Sequence, residues 1–237
     1  METYNLPKRA KCLIFDIDST LYTCPEYAHE QIDCQVRHFA ELRGITPEEA
    51  RRMVSDFRKN YAAEHDGKRI SLGNLFTHLG ISIEESIAWR TALVHPENYL
   101  SRDEKLISVL SELKKNYHLI CVTNNPVAPA VKTLEVLGID HLIEKTIGLD
   151  TCMKSKPARE MLELAAQTAN ATFGECISIG DRFDIDLSLA LESGMGGILV
   201  SGVEEIYELP ALLGEKASAS SSGSDLLLET LVAFLSA

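Results

Sequence analysis

The sequence has few of the features that would tie it to a polymer, a membrane or a structural metal. Only 23 lysines and arginines stand against 35 aspartates and glutamates, a formal net charge of −12. That balance argues against a nucleic-acid polymer or an anionic membrane as partner, because both are held by a basic face. A small phosphate ester is still compatible, since one metal ion and one lysine can reverse the field locally. None of the six cysteines forms a C-x-x-C pair or a zinc-like spacing with histidine. Cys12, Cys121 and Cys176 lie in apolar runs and read as small core residues, so a reducing cytoplasm is the expected setting. Lys8, Arg9 and Lys11 precede an apolar stretch that soon meets Asp16, too short for a secretory signal or a membrane span. The one tryptophan, Trp89, reads as packing rather than as a base-stacking platform. At 237 residues, with 45% hydrophobic and 24% charged, the chain can build one sizeable core, or a core and a smaller lobe.

What is present begins at Cys12-Leu13-Ile14-Phe15, a buried strand that ends in Asp16-Ile17-Asp18-Ser19-Thr20. Two carboxylates at the mouth of a buried strand repel each other and lose water, and a divalent cation is the usual compensation. Alone, the pair reads equally well as a solvated turn with Asp18 and Ser19 capping the next helix. Helical patterning then takes over. Apolar residues repeat from His29 to Arg43 and Gly44 can end that helix. Thr46-Pro47-Glu48-Glu49 is a capping box opening a helix to about Ala63, and Ser82-Ile83-Glu84-Glu85 is a second. With a short helix over Ser71 to Leu79, residues 22–98 read as an all-helical insertion.

From Ser101 the pattern changes. A third capping box, Ser101-Arg102-Asp103-Glu104, predicts a helix ending near Asn116. Apolar strands are expected at His118–Thr123, Leu142–Ile147, Cys176–Ile179 and Gly196–Val200. Between them the pattern predicts helices over 128–137, from Pro157 to about Ala169, and over 184–191. A low-complexity stretch, Ala217 to Ser224, precedes a last apolar helix over Leu226 to Leu235. Continuous apolar strands alternating with helices indicate an α/β fold: a Rossmann-like parallel sheet with helices on both faces. Residues 1–21 and 99–237 would form this core. Ligands of such sheets bind beyond the carboxyl ends of the strands. Asp16, Thr123 and Asp181 each end a separate strand, and Lys156 starts the helix after the third, so all four are expected at one crevice.

This set closely resembles the haloacid dehalogenase superfamily of phosphohydrolases. Asp16-Ile17-Asp18-Ser19-Thr20 matches its first motif, D-x-D-x-[TV]; Thr123-Asn124 matches the second; Lys156-Pro157 the third; and Gly180-Asp181 through Asp186 the fourth. Ser19 and Arg182 stand where asparagine or glycine, and serine, are common. The insertion resembles that family's helical cap, and the Phe15–Tyr22 opening with the segment Tyr61 to Leu79 looks most like pyrimidine 5′-nucleotidases. The resemblance implies an Mg²⁺-dependent phosphomonoesterase acting on a small metabolite. Asp16 would be the nucleophile and Asp18 the general acid and base. Thr123, Asn124 and Lys156 would hold the phosphoryl group. Asp16, Asp181 and the carbonyl of Asp18 would ligate Mg²⁺, with Asp186 supporting its water shell. A sugar phosphomutase or a phosphoglycolate phosphatase-like enzyme would share this set. A receiver-type signalling domain, which also gathers acids, a strand-end hydroxyl and a lysine around Mg²⁺, is the alternative from another class.

Overall fold

In the computed structural model, residues 1–67 and 70–214 are described. The expected C-terminal helix over Leu226 to Leu235, its serine-rich lead-in, and Lys68 and Arg69 of the polar turn lie outside them. In chain order the elements are β1 (Glu2–Tyr4), β2 (Cys12–Phe15), α1 (Pro25–Arg43), α2 (Pro47–Glu64), α3 (Leu72–His78) and α4 (Ile83–Leu93). There follow α5 (Glu104–Leu113), β3 (His118–Val122), α6 (Val127–Leu137), β4 (Lys145–Ile147) and α7 (Leu149–Cys152). The chain continues through α8 (Arg159–Thr168), β5 (Cys176–Gly180), α9 (Ser188–Glu192), β6 (Gly196–Leu199) and α10 (Val203–Ile206).

The six strands form one sheet in the order β1-β6-β5-β2-β3-β4. All pairings are parallel except that of β1, which runs antiparallel along β6. That edge strand departs from the all-parallel expectation. Its polar residues, Glu2 to Tyr4, are too few to show a period and carry no apolar signal. The central strands are apolar on both faces because both are covered. Leu13 and Phe15 of β2 pack with Leu106, Leu110 and Leu134 on one side. Cys12 and Ile14 pack with Met161, Leu162 and Ala165 on the other. The alternation is that of a pleated strand between two helical layers.

Among the described residues between β2 and β3 no strand intervenes, and α1 to α4 build an apolar cluster of their own around Phe39, Leu75, Phe76 and Trp89. Trp89 stands edge-on to both Phe76 and His38, a packing role. Two caps begin these helices as the sequence predicts. Glu49 N donates to Thr46 Oγ1 while Thr46 N donates to Glu49 Oε2, and Ser82 and Glu85 repeat the exchange. Each such cap is worth about 1 kcal/mol. The third expected box does not form. Ser101 and Arg102 precede the helix, and the carboxylate of the extended Asp103 accepts from Leu106 N at 2.9 Å, so α5 starts two residues later and ends at Leu113. Helix α1 starts at Pro25, four residues before the apolar period becomes visible.

Asp33 clips α1 to α2. Its carboxylate accepts from Arg51 Nε at 2.7 Å and from Arg37 Nη1 at 2.5 Å. The hydrogen bonds from Arg51 outweigh its partial burial and hold it down at about 2. An acid whose folded-state pKa is depressed adds stability above its unfolded pKa, and that stability is lost as pH falls through the folded value. Asp33→Asn is therefore expected to lower unfolding free energy by about 1 kcal/mol at neutral pH, allowing for screening around the half-exposed arginines. The difference should close between about pH 4 and pH 2, as read from urea titrations of both proteins at several pH values.

Candidate active site

Strands β5, β2 and β3 are adjacent, so their carboxyl ends deliver Asp181, Asp16 and Thr123 to one place. Asp16 N donates to Ile179 O at 2.8 Å and Thr123 N to Ile147 O at 3.0 Å, which extends the sheet ladder to both residues. The loop before α8 brings Lys156 inward. Its ammonium donates to Asp16 Oδ1 at 2.5 Å, to Asp186 Oδ1 at 2.7 Å and to Val122 O at 3.0 Å. All three charged side chains are at most 10% exposed.

Asp186 reaches this position through a local change of helix type. Residues Phe183–Leu187 form a π-helical turn ahead of α9, where the sequence pattern predicts a continuous helix from Asp184. Asp186 Oδ2 also accepts from Arg182 N, and Ser178 Oγ donates to Asp186 O. The wider turn leaves Asp184 outside and points Asp186 in. Gly180 makes this approach feasible, because a Cβ there would lie 2.5 Å from three atoms of the Asp186 side chain.

Asp16, Asp181 and Asp186 each offer a carboxylate oxygen, all within 4.8 Å of one another. Burial raises the Asp16 pKa, Lys156 pulls it back, and the charges of Asp186 and Asp18 raise it again. Burial and Asp186 raise Asp181 as well. For Lys156, burial alone would discharge the amine, but Asp16 and Asp186 outweigh it and hold its pKa above the ordinary range. Three crowded hard-oxygen donors with one cation between them fit a divalent ion such as Mg²⁺.

Asp18 faces elsewhere. Tyr22 Oη and Gln31 Nε2 donate to its Oδ1 at 2.6 and 2.9 Å, and Asn125 Nδ2 donates to its Oδ2 at 2.9 Å. Asn125 also donates to Gln31 Oε1 at 2.7 Å. Burial and then the neighbouring Asp18 keep the Tyr22 phenol protonated, and so a donor. Thr123 is fully buried; its Oγ1 accepts from Asn125 N at 3.1 Å and keeps its own proton to donate. Asn124 uses its side-chain oxygen to accept from Lys156 N at 2.6 Å, which leaves its amide hydrogens free for a ligand. Ser19 adopts φ 60°, a conformation that asparagine and glycine enter at least cost.

The structure thus brings Asp16, Lys156, Asp181 and Asp186 together beside Thr123 and Asn124, and sets Asp18 across the mouth. Sequence reasoning missed Tyr22, Gln31 and Asn125. Gln31 and Gln35 are buried polar residues on an otherwise apolar helix face, and that misfit was the available signal. A cleft of about 560 Å³ opens beside Lys156, between α3–α4 and the segment from Met153 to Glu160.

The description haloacid dehalogenase-like hydrolase matches residues 10–194. The chain belongs to that family. It is 27% identical over 207 residues to the 5-amino-6-(5-phospho-D-ribitylamino)uracil phosphatase YigB of Escherichia coli, covering 82% of this chain and 85% of that one. It is 26% identical to the pyrophosphatase PpaX of Listeria welshimeri, covering 87% and 92%. A haloacid dehalogenase-family phosphatase from Thermococcus onnurineus shares the fold, with a TM-score of 0.62 at 21% identity, over 86% and 98% of the chains. Among the described residues, no helix is long and apolar enough to cross a membrane.

Removing the buried cation should expose the repulsion it relieves. Lys156→Met is expected to lose about 3–5 kcal/mol of stability, the usual effect of stripping a partner from a buried ion pair. Without Lys156 the Asp16 pKa rises further above its unfolded value. Such an acid holds its proton more tightly when folded, so the variant should be most stable at mildly acidic pH and weaken as pH rises. Urea titrations across pH read both effects.

Proposed function

We propose that this enzyme is an Mg²⁺-dependent phosphomonoesterase working through an aspartyl-phosphate, with a small phosphorylated metabolite as substrate. The observation that carries the reading is the split between the two acids of the first motif. Asp16 is gripped by Lys156 among the core carboxylates, whereas Asp18 is held apart by Tyr22, Gln31 and Asn125. One acid is therefore placed to attack phosphorus and the other to handle the proton. Residues 1–21 and 99–237 would be the catalytic core, and 22–98 a cap that shapes the cleft.

In the first half-reaction an Asp16 oxygen bonds to phosphorus and the bond to the leaving oxygen breaks. Asp18 gives that oxygen its proton. In the second, Asp18 takes a proton from water as the water oxygen attacks phosphorus, and the bond to Asp16 breaks to release phosphate. Lys156, the Thr123 hydroxyl and the Asn124 amide offset and orient the phosphoryl oxygens in both steps. Mg²⁺, held by the carboxylates of Asp16 and Asp181 and the carbonyl of Asp18, with Asp186 in support, would supply further positive charge beside the phosphoryl group.

The relatives support the reaction class through their names, which span a phosphoribitylamino compound, a pyrophosphatase and, at 24% identity, the glyceraldehyde 3-phosphate phosphatase of Methanopyrus kandleri. The finer likeness to pyrimidine nucleotidases rests on the Phe15–Tyr22 opening and the segment Tyr61 to Leu79. Purified protein should release phosphate from p-nitrophenyl phosphate with Mg²⁺ and stop when EDTA is added. Asp16→Asn should abolish turnover, and Asp18→Asn should lower kcat by about 10²–10⁴-fold. Full activity of Asp16→Asn would refute the mechanism. Phosphate transfer to a sugar hydroxyl in place of water would make the protein a phosphomutase.

A further inference from the structure

The helical insertion carries a buried positive charge that no carboxylate among the described residues touches. Arg90 of α4 is 8% exposed. Its Nε donates to Gln35 Oε1 at 3.1 Å and its Nη1 to the backbone carbonyl of Asn124 at 2.8 Å, both neutral acceptors. Among the described residues no carboxylate forms an ion pair with it. Burial lowers the Arg90 pKa and the charge of Asp18 offsets only part of that, and a buried guanidinium without a direct ion pair is commonly completed by a ligand.

One turn earlier on α4 is Ser86, 1% exposed, whose Oγ is one of two buried side-chain polar atoms without a hydrogen-bond partner among the described residues. Ser86 and Gly73 line the cleft that opens beside Lys156. A methyl group at Gly73 would sit 3.4 Å from Arg90 Nη2 and 3.8 Å from Ser86 Oγ. The missing side chain therefore leaves a space in contact with the unpartnered Ser86 hydroxyl and with the Arg90 guanidinium edge. Arg90 is also tied to Asn124, next to the strand-end Thr123, so this space and the phosphoryl site share a wall. Lys154 and Arg159 line the same cleft, each paired with a carboxylate, Glu160 and Glu163.

We propose that Arg90 and Ser86, reached past Gly73, form a subsite for an anionic group on the leaving moiety, a carboxylate or a second phosphate. This deepens the proposed phosphomonoesterase reading and rests on it for the position of the reacting phosphate. The guanidinium has a planar edge suited to either anion, and the serine hydroxyl supplies a further donor. Substrates bearing only neutral hydroxyls leave the buried cation unmatched and bind less tightly.

Calorimetry on Asp16→Asn protein with Mg²⁺ tests this with matched probes. The first pair is 3-phosphoglycerate and glycerol 3-phosphate, which differ in a carboxylate against a hydroxymethyl. The second is fructose 1,6-bisphosphate and fructose 6-phosphate, which differ in a second phosphate. The charged member of at least one pair is expected to bind about tenfold or more tightly, and the pair that shows it identifies the anion. Adding Gly73→Ala, which fills the space and favours the helix, or Arg90→Met should bring that ratio close to one. Equal affinities in both pairs would overturn the proposal. So would a preference that survives Gly73→Ala, or a loss of affinity that falls equally on charged and neutral probes. Should Arg90→Met fail to fold, Gly73→Ala decides. Phosphate release from p-nitrophenyl phosphate by the unsubstituted protein tests the phosphatase reading separately, so failure of one does not stand for failure of the other.

Discussion

A single buried ammonium holds this site together. Lys156 lies between Asp16 and Asp186, and it counters the burial and neighbouring negative charge that push Asp16 toward its neutral form. The surrounding structure serves that contact. Adjacent β2, β3 and β5 supply Asp16, the carbonyl of Val122 and the approach to Asp181. The π-helical turn and Gly180 let Asp186 come close, and Asn124 fixes the backbone of Lys156 itself. Charge compensation explains why an acidic protein can gather carboxylates at one crevice and still present a favourable field to a phosphate.

The two acids of the first motif are two positions apart in sequence but answer to different parts of the fold. Asp16 belongs to the sheet. Asp18 belongs to a hydrogen-bonded set from the strand-end turn and α1, in which Gln31 touches both Asp18 and Asn125. Helix α1 therefore reaches Asp18 directly, through Gln31. Its own packing, around Phe39, Phe76 and Trp89, is a cluster separate from those of the sheet, with Tyr27 and Cys34 of α1 joining the sheet's core instead.

Much of this was legible because each signal was strong and local. Continuous apolar runs located β2, β3, β5 and β6, and the strand-end rule then brought Asp16, Thr123 and Asp181 to one edge. Capping boxes located α2 and α4 to within a residue. What escaped was tertiary in origin. Strand β1 is too short and polar to show a period and exists because β6 offers a free edge. The start of α5 depended on which of two nearby cap residues the chain path left available, and Asp103 prevailed. The roles of Tyr22, Gln31, Asn125 and Arg90 are set by partners between 4 and 107 positions away, which no spacing rule reports.

Those separations bear on how the molecule comes to be active. Lys156 meets Asp16 across 140 positions of chain, and Asn125 meets Asp18 across 107. Contacts so distant form only after the intervening loops have been closed, and they are among the last to be secured. A growing polypeptide would thus present Asp16, the proposed nucleophile, long before the lysine that steadies it has been synthesised. Reactivity would emerge as a late, all-or-none property of the assembled sheet, and unfinished chains would be chemically silent.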